Sequence, residues 1–588
     1  MRSRDGGNVD GSRTNSKERN MAVDDGLGEE LDRLKGLWAQ HWPNGRPTAI
    51  RYPLGEQPLT AYLAHWASRQ PDKPAVVFHG RQWTYGEIDR LSDGFAAAAR
   101  DAGVVAGDRM ALFLPNCPQF IIAFFGILKL GAVHVPISPM SKTQEVEHEL
   151  VDSGAVAAVV WDQLLETFHT APSADRLRNI FTVNPGAGAT DLHSLPDSFR
   201  PANQVEPKHD PFLELARSRS AAFEAPANDL DAVAALNYTG GTTGLPKGCM
   251  HTQRGMLYTA AANCSVAMDL HVDDVILCYY SIAWIAGEDI SILFPFVSGC
   301  TCILLARWDP VALCAAIERH RVTHVSLLVD NLIEVLDDPR TSGFDLTSLN
   351  STRVSSFVKK LDIETRARWK QRTGVTVVEA TWGMTETHSC DTFTSGLQEG
   401  DGDLRGDPVF VGLPLPGTDI VIRDFDTGLI AAPEAAGEIC IRSPSIMKGY
   451  WNKDRESAIA LRDGWLHSGD IGRIDECGFL RYLGRKKELI KVKGMSVPPA
   501  EIEICLQSHA AVMRVGVIAR PDEHRGEVPI AFVMLAASIS DEEQAAEMLR
   551  SWCRERLASY KIPEVRIVSQ LPMTASGKVQ KHELARLI

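Results

Sequence analysis

From residue 59 onward, windows with helical apolar spacing alternate with short β-rich runs, and no other feature of the 588-residue sequence restricts the fold as strongly. The spacing predicts a helix over 59–67, a strand over 75–78, a helix over 85–102 and a strand over 109–114. A helix over 118–130 and a strand over 132–136 continue the series. Strand–helix–strand units of this kind return parallel strands to one sheet and cover it with helices, so the fold class is α/β. In such sheets ligands collect at the carboxyl ends of the strands. The length exceeds what one hydrophobic core sustains, so at least two domains are expected. The texture changes after Gly484 to a basic run, Arg485-Lys486-Lys487, followed by a compact αβ pattern, which places a boundary between residues 26–484 and 485–588. Residues 171–228, with several Pro, Ser and Asp and weak periodicity, read as an excursion, and 396–408 as a Gly- and Asp-rich loop. No solenoid repeat is visible.

Hydrophobic residues at 44% and charged residues at 23% describe a packed globular chain. A formal net charge of -14 argues against a nucleic-acid binder that works by broad phosphate neutralisation. It leaves small anions free to bind to local cations and backbone N–H groups. The only close pair among twelve cysteines, Cys300 and Cys302, lacks a second pair to complete a zinc site, so buried reduced thiols and a cytoplasmic location are expected. Residues 1–25 lack an apolar targeting segment and read as a disordered tail. The apolar runs 120–137 and 290–306 are broken by Lys129, Gly131 and Pro136, and by Pro295 and Gly299, so no membrane span is expected. The sequence ends Arg586-Leu587-Ile588, which is not a peroxisomal tripeptide.

The sharpest local feature is Tyr238-Thr239-Gly240-Gly241-Thr242-Thr243-Gly244-Leu245-Pro246-Lys247-Gly248, directly after a strand. Glycines let a backbone approach an anion and aim N–H groups at it, threonine hydroxyls donate further bonds, and lysine adds a charge. It is not a Walker A loop, because Pro246 precedes Lys247 and no G-K-[S/T] step opens a helix. The stretch resembles the signature loop of the adenylate-forming superfamily, which holds acyl-CoA synthetases, peptide-synthetase adenylation domains and luciferases, with Gly240 where Ser is common. Ala380-Thr381-Trp382-Gly383-Met384-Thr385-Glu386-Thr387 is similar to the family's aromatic-Gly-x-Thr-Glu motif. Asp463-Gly464-Trp465-Leu466-His467-Ser468-Gly469-Asp470 resembles its Gly-Trp-Leu-x-Thr/Ser-Gly-Asp. Gly484-Arg485-Lys486-Lys487-Glu488-Leu489-Ile490-Lys491, the segment around Gly494, and Pro572-Met573-Thr574-Ala575-Ser576-Gly577-Lys578 follow in family order.

The resemblance, which is to acyl-CoA synthetases above all, implies a large domain of helix-covered sheets with a small β-barrel-like part, and a small mobile α+β domain. It implies ATP held by Thr239, Gly240, Gly241, Thr242, Thr243, Gly244 and Lys247, adenine and α-phosphate by Trp382, Gly383 and Thr385, and ribose by Asp470 and Arg485. Glu386 would take Mg2+, Lys487 would be the hinge, Gly494 would border the coenzyme A path, and Lys578, Thr243 and Glu386 would be catalytic.

Departures from the family pattern fall on the acyl side. Trp284 replaces the His of Pro-x-Phe-His-x-x-Gly, three residues before Gly287; as a gate or floor of an acyl pocket it would favour a short, cyclic or aryl acid, and as a core residue it would only pack. Residues 355–360, Ser355-Ser356-Phe357-Val358-Lys359-Lys360, lack the family's glycines, so Ser356 would line a reshaped pocket. Glu288 and Asp289 would meet a polar substrate group or pair with a buried base. No Phe-Asp-x-Ser segment stands ready for an amino acid's ammonium. The expectation is an ATP-, Mg2+- and coenzyme A-dependent acid:CoA ligase with a carboxylic acid as its small-molecule partner, and a homodimer is left open. The alternatives are an acyl-AMP ligase serving a carrier protein or an amine, and a degenerate nucleotide-binding module.

Overall fold

Two mainly parallel sheets account for the alternating pattern. The structure, a computed structural model, describes residues 14–186, 209–219, 223–224, 229–239, 245–356, 359–405, 409–425, 427–492, 495–522, 524–536, 541–573 and 579–588. One sheet runs in the order Asn179–Val183, Ala157–Trp161, Arg109–Phe113, Val133–Ile137, Val233–Tyr238, Gly248–Thr252, parallel except for its last pair. The other runs Val378–Glu379, Ser351–Ser355, His324–Leu328, Val275–Cys278, Thr301–Leu304, Pro74–Phe78, Arg81–Thr84, again antiparallel only at its end. Strands such as Val133–Ile137 are buried at every position. A sheet covered on both faces needs continuous apolar runs and not alternation, which is why these strands read as short apolar blocks.

Helices Leu59–Arg69, Tyr85–Asp101 and Pro118–Lys129 follow the predicted spacing to within two residues at their ends. Every residue of Pro118–Lys129 is buried, including Lys129, whose ammonium lies 2.6 Å from both Asp89 and Asp93. A buried cation is tolerated only with such partners.

A third sheet is antiparallel, in the order Thr392–Phe393, Val409–Pro414, Leu480–Arg485, Trp465–Ile474, Gly437–Arg442, Asp419–Arg423, and forms the half-barrel of the large domain. The short strand Leu461–Arg462 pairs with Trp465–Ile474 in that sheet, and a fourth sheet, of five strands, lies between Ile490 and Ile567, with helices Pro499–Gln507 and Glu542–Arg556 on a separate core that includes Val515, Val517, Ala531, Val533 and Leu549.

Two sequence readings are corrected. The segment read as a disordered tail is helical backbone from residue 14, within helix Thr14–Gln40. Leu27, Leu31, Leu34 and Trp38, spaced four, three and four apart, are buried, and Trp38 Nε1 donates to the Gly478 carbonyl at 3.0 Å, so tertiary packing anchors a helix of poor intrinsic propensity. The excursion 171–228 contains the edge strand Asn179–Val183 and helix Pro211–Ser218. The strand is half-buried and so weakly patterned. The helix begins with a capping Asp210, which accepts from the Phe212 and Leu213 amides ahead of a first-turn proline.

Candidate active site

The Gly-rich stretch leaves the carboxyl end of strand Val233–Tyr238, and its neck is closed by two hydrogen bonds. Thr239 N donates to the Lys247 carbonyl at 3.0 Å and Lys247 N donates to Thr239 Oγ1 at 3.2 Å. Gly240, Gly241, Thr242, Thr243 and Gly244 lie outside the described residues. Lys247 Nζ stands 3.9 Å from the Tyr450 ring centroid, and Tyr450 Oη donates to Glu386 Oε1 at 2.7 Å. Burial and then the Glu386 carboxylate push the Tyr450 phenol well up, so it remains a donor. Lys247 and Glu386, far apart in sequence, are thus brought together through a tyrosine that the sequence reading passed over. Its signal was Gly449-Tyr450-Trp451, whose backbone pairs with the strand carrying Cys249.

Residues 382–391 form a closed loop. Asp391 N donates to the Trp382 carbonyl at 3.0 Å and Ser389 N to the Met384 carbonyl at 2.9 Å, and a 3-10 turn over Thr385–Thr387 presents Thr385 and Glu386, both half-buried. Gly383 is required by geometry: a Cβ there would stand 1.7 Å from the Ser389 carbonyl oxygen. Trp382 Nε1 donates to Asp470 Oδ2 at 3.1 Å, and Arg485 Nε lies 3.0 Å from Asp470 Oδ1. Trp382, Asp470 and Arg485 are therefore one connected set, drawn from three separate motifs. The Asp470 carboxylate, chiefly, holds the Arg485 guanidinium raised and firmly charged. Glu386 is half-buried and accepts from Tyr450 beside Lys247, and a carboxylate is the kind of hard oxygen ligand a magnesium ion takes.

Of the residues expected to line an acyl pocket, Trp284 is half-buried and precedes the short helix Ile285–Glu288, its backbone N–H donating to the Ser281 carbonyl at 2.9 Å. Gly287 is packed so closely that a Cβ would stand 1.9 Å from Ser281 O. Ser356 is fixed by Glu379, donating from N at 2.9 Å and from Oγ at 2.6 Å, and Lys360 Nζ donates to the Ser356 carbonyl at 2.7 Å. Burial pushes the Glu379 carboxyl up and the Lys360 ammonium down. Phe357 and Val358 lie outside the described residues.

Of the two readings of Glu288 and Asp289, the structure selects the buried base. Glu288 Oε1 lies 3.4 Å from His134 Nε2, and Asp289 Oδ1 lies 3.1 Å from His388 Nδ1, all four side chains being fully buried. His134, His388, Glu379 and Tyr450 are the residues sequence reasoning missed. Of these, His388, two positions past Glu386, and Tyr450, within Gly449-Tyr450-Trp451, carried a positional signal.

Lys487 is exposed, in the 3-10 turn Lys486–Glu488 that follows strand Leu480–Arg485. Lys578 and Gly494 lie outside the described residues. Met573 and Val579, which flank residues 574–578, pair as an isolated antiparallel bridge.

Among the described residues, one group brings metal-type ligand atoms together: Glu438, Cys440 and His467. They already satisfy one another, with His467 Nδ1 2.9 Å from Glu438 Oε2 and 3.4 Å from Cys440 Sγ, while Gly469 N donates to Glu438 Oε1 at 3.1 Å. Burial, then the Glu438 charge, pushes the Cys440 thiol up to about 12, which disfavours the thiolate a metal needs. The group braces the strand that carries Asp470.

A cleft of about 1200 Å³ is lined by Asp274, His324, Ser351 and Val378, at the amino ends of the second sheet's parallel strands. This is the opposite end from the motifs, and none of the motif residues named above lines it.

Residues 63–451 match the AMP-binding enzyme family and residues 501–578 match the AMP-binding enzyme C-terminal domain. A long-chain-fatty-acid–CoA ligase of Bacillus subtilis (strain 168) is 32% identical over 569 residues, covering 93% of this chain and 97% of the relative. The 4-coumarate–CoA ligase 2 of Oryza sativa subsp. japonica is 30% identical, over 90% of this chain and 92% of its own length. The crystal structure of the anthranilate CoA ligase AuaEII in complex with anthranoyl-AMP superposes with a TM-score of 0.77 at 26% identity, covering 90% of this chain and 97% of that one.

The chain belongs to the AMP-binding enzymes, the adenylate-forming superfamily. Within that class it is an acid–thiol ligase of the AMP-forming acyl-CoA synthetase type. No helix among the described residues is long and apolar enough to cross a membrane.

Proposed function

We propose that the protein joins a carboxylic acid to ATP as an acyl-AMP, releases pyrophosphate, and passes the acyl group to the thiol of coenzyme A. The observation that carries this reading is the convergence of Lys247, Tyr450, Glu386 and Thr385 on one side of the nucleotide site with Trp382, Asp470 and Arg485 on the other.

In the first half-reaction an acid carboxylate oxygen bonds to the α-phosphorus, and the bond from that phosphorus to the β-phosphate oxygen breaks. Residues 239–247 receive the leaving pyrophosphate, with Thr242 and Thr243 donating hydroxyls and Lys247 a charge. Trp382 and Gly383 border adenine, Thr385 donates toward the α-phosphate, and Asp470, backed by Arg485, accepts from ribose. Glu386 would hold magnesium, which would neutralise phosphate charge. Lys578 stands between the two anions and stabilises the charge spread over them. In the second half-reaction the thiol sulfur attacks the acyl carbonyl, AMP leaves as the anion, and the thiol proton passes to solvent or to AMP. Lys578 must withdraw to open that path beside Gly494, which is the work of the small domain swinging at Lys487 against a large domain that ends with strand Leu480–Arg485. Support for a hinge there is local: a short turn, exposed at Lys486 and Lys487, joins two sheets.

Trp284 and the Glu379-pinned Ser356 narrow the acyl pocket and favour a short, cyclic or aryl acid over a long chain. A cytoplasmic setting suits twelve cysteines that form no disulfide and are buried except for Cys477. The test is pyrophosphate release from ATP and Mg2+ over a panel of short, long, cyclic and aryl acids, with and without coenzyme A. Acid-dependent release, with a thioester formed only when coenzyme A is present, is expected. Release that needs no acid, or a thioester from no acid in the panel, refutes the reading.

A further inference from the structure

Beneath residues 382–391 lies a sealed group of polar side chains to which the mechanism gives no part. His134 comes from strand Val133–Ile137, Asn237 from Val233–Tyr238, His251 from Gly248–Thr252, Glu288 from helix Ile285–Glu288, Asp289 from the residue after it, and His388 from the loop itself. All are buried. Burying charge here exceeds what the fold needs, because apolar side chains of similar volume would pack at least as stably. The group needs a reason beyond stability.

His388 supplies one. Its backbone is left-handed, at φ 52°, and Ser389 follows at φ 80°, two successive non-glycine residues in a conformation that L side chains rarely adopt. Strain of this kind persists only where the surroundings over-determine it. The His388 ring faces two carboxylates at ion-pair range, with Nδ1 3.1 Å from Asp289 Oδ1 and Nε2 3.8 Å from Glu288 Oε1 and neither nitrogen aligned for a hydrogen bond, and the His251 ring meets it edge-on at 4.8 Å between centroids. Glu288 is in turn held by Asn237 Nδ2, donating at 3.1 Å, and faces His134 Nε2 at 3.4 Å. The turn that presents Thr385 and Glu386 ends at His388, which caps it with its N–H donating to the Thr385 carbonyl at 3.3 Å. Relaxing the left-handed turn would withdraw the ring from two carboxylates at once.

We propose that Asp289 and His388 are positioning residues for nucleotide binding: the buried pair locks the left-handed turn, and through it the placement of Thr385 and Glu386 toward magnesium-bound ATP. Neither touches the reacting atoms. The proposal rests on the reading of Glu386 as the magnesium carboxylate.

The test is calorimetric titration of ATP into the full chain, in EDTA and again with saturating Mg2+, for the wild type, Glu386→Gln and the double variant Asp289→Asn/His388→Gly. Glycine accepts the left-handed turn but does not enforce it, and the Asp289→Asn change avoids an orphaned buried charge. In the wild type Mg2+ tightens ATP binding, and Glu386→Gln loses that gain. The double variant is expected to lose roughly 10–100-fold of it, as variants of residues supporting a metal ligand do, while affinity in EDTA stays within about twofold. General damage to the fold would weaken binding in both conditions. Asp289→Asn alone preserves shape but removes the charge facing the ring, and is expected to lose about tenfold of the gain. A full wild-type gain in either variant, with Glu386→Gln losing it, overturns the proposal and leaves Glu386 in place. A full gain in Glu386→Gln removes the reading of Glu386 and the proposal together.

Discussion

Two glycines show how much of this site is decided by single atoms. At Gly287 a methyl group would meet the Ser281 carbonyl oxygen at 1.9 Å, and at Gly383 it would meet the Ser389 carbonyl oxygen at 1.7 Å. Neither neighbour is a flexible side chain that could swing away, so the backbone itself must move. Alanine at either position is expected to cost about 1–3 kcal/mol of stability, the usual penalty of overpacking. The two should differ in function. Gly383→Ala displaces the loop that bears Thr385 and Glu386, so the rise in melting temperature produced by Mg2+ and ATP should shrink. Gly287→Ala displaces the acyl side and should leave that nucleotide-induced rise near wild type. Thermal unfolding with and without Mg2+ and ATP separates the two, and equal ligand-induced shifts would show that the loops are not independent. Both glycines were visible in the sequence as positions in a pattern. That each answers to one carbonyl oxygen was not, because the contact is made by residues six positions away in the chain.

Helix Thr143–Ser153 carries the clearest pH signature of any element. Burial, with Glu145 adding to it, pushes the Glu149 carboxyl up to about 8. Between an unfolded value near 4.3 and that folded value, the native state keeps a proton that the unfolded chain has lost. The unfolded state then binds fewer protons, so this group's contribution to stability is complete at low pH and is lost as pH rises through about 8. Glu149→Gln, which cannot ionise, should flatten the decline in melting temperature between about pH 5 and about pH 8.5. Identical slopes for variant and wild type would show that Glu149 ionises freely in the folded protein.

The legibility of elements followed the same physics. Doubly covered strands such as Val133–Ile137 announce themselves as apolar blocks, whereas edge strand Asn179–Val183, half-buried, merges with its polar surroundings. Helix Pro211–Ser218 had a readable start, Asp210-Pro211, but little periodicity behind it to support one. Helix Thr14–Gln40 is held by four anchors on one side, which a composition rich in Arg, Asp and Gly conceals. The group around His388 was beyond reach, because its members stand at 134, 237, 251, 288, 289 and 388 and meet only once three strands of one sheet, a helix and a loop are folded together.

At the scale of the whole molecule, the sequence order of motifs from Tyr238 to Lys578 was enough to indicate the class, and the fold explains why that order matters. The large domain brings the neck at Thr239 and Lys247, the loop 382–391 and the Asp470–Arg485 pair to one site, while Lys578 belongs to the segment after the exposed turn at Lys486–Glu488. A lysine on a separate domain can serve one half-reaction and be absent from the other. The two halves should therefore respond differently to its removal.

The measurement that tests this most directly is single-turnover chemistry with Lys578→Ala beside the wild type, using the acid identified by the pyrophosphate panel and, separately, its synthetic acyl-AMP. The variant is expected to form acyl-AMP from acid and ATP at least about a hundredfold more slowly, the scale on which one electrostatic stabiliser acts. It should convert supplied acyl-AMP and coenzyme A to the thioester at close to the wild-type rate. Adenylate formation at the wild-type rate in Lys578→Ala, or equal loss in both half-reactions, would contradict a lysine that enters for the first step and leaves for the second.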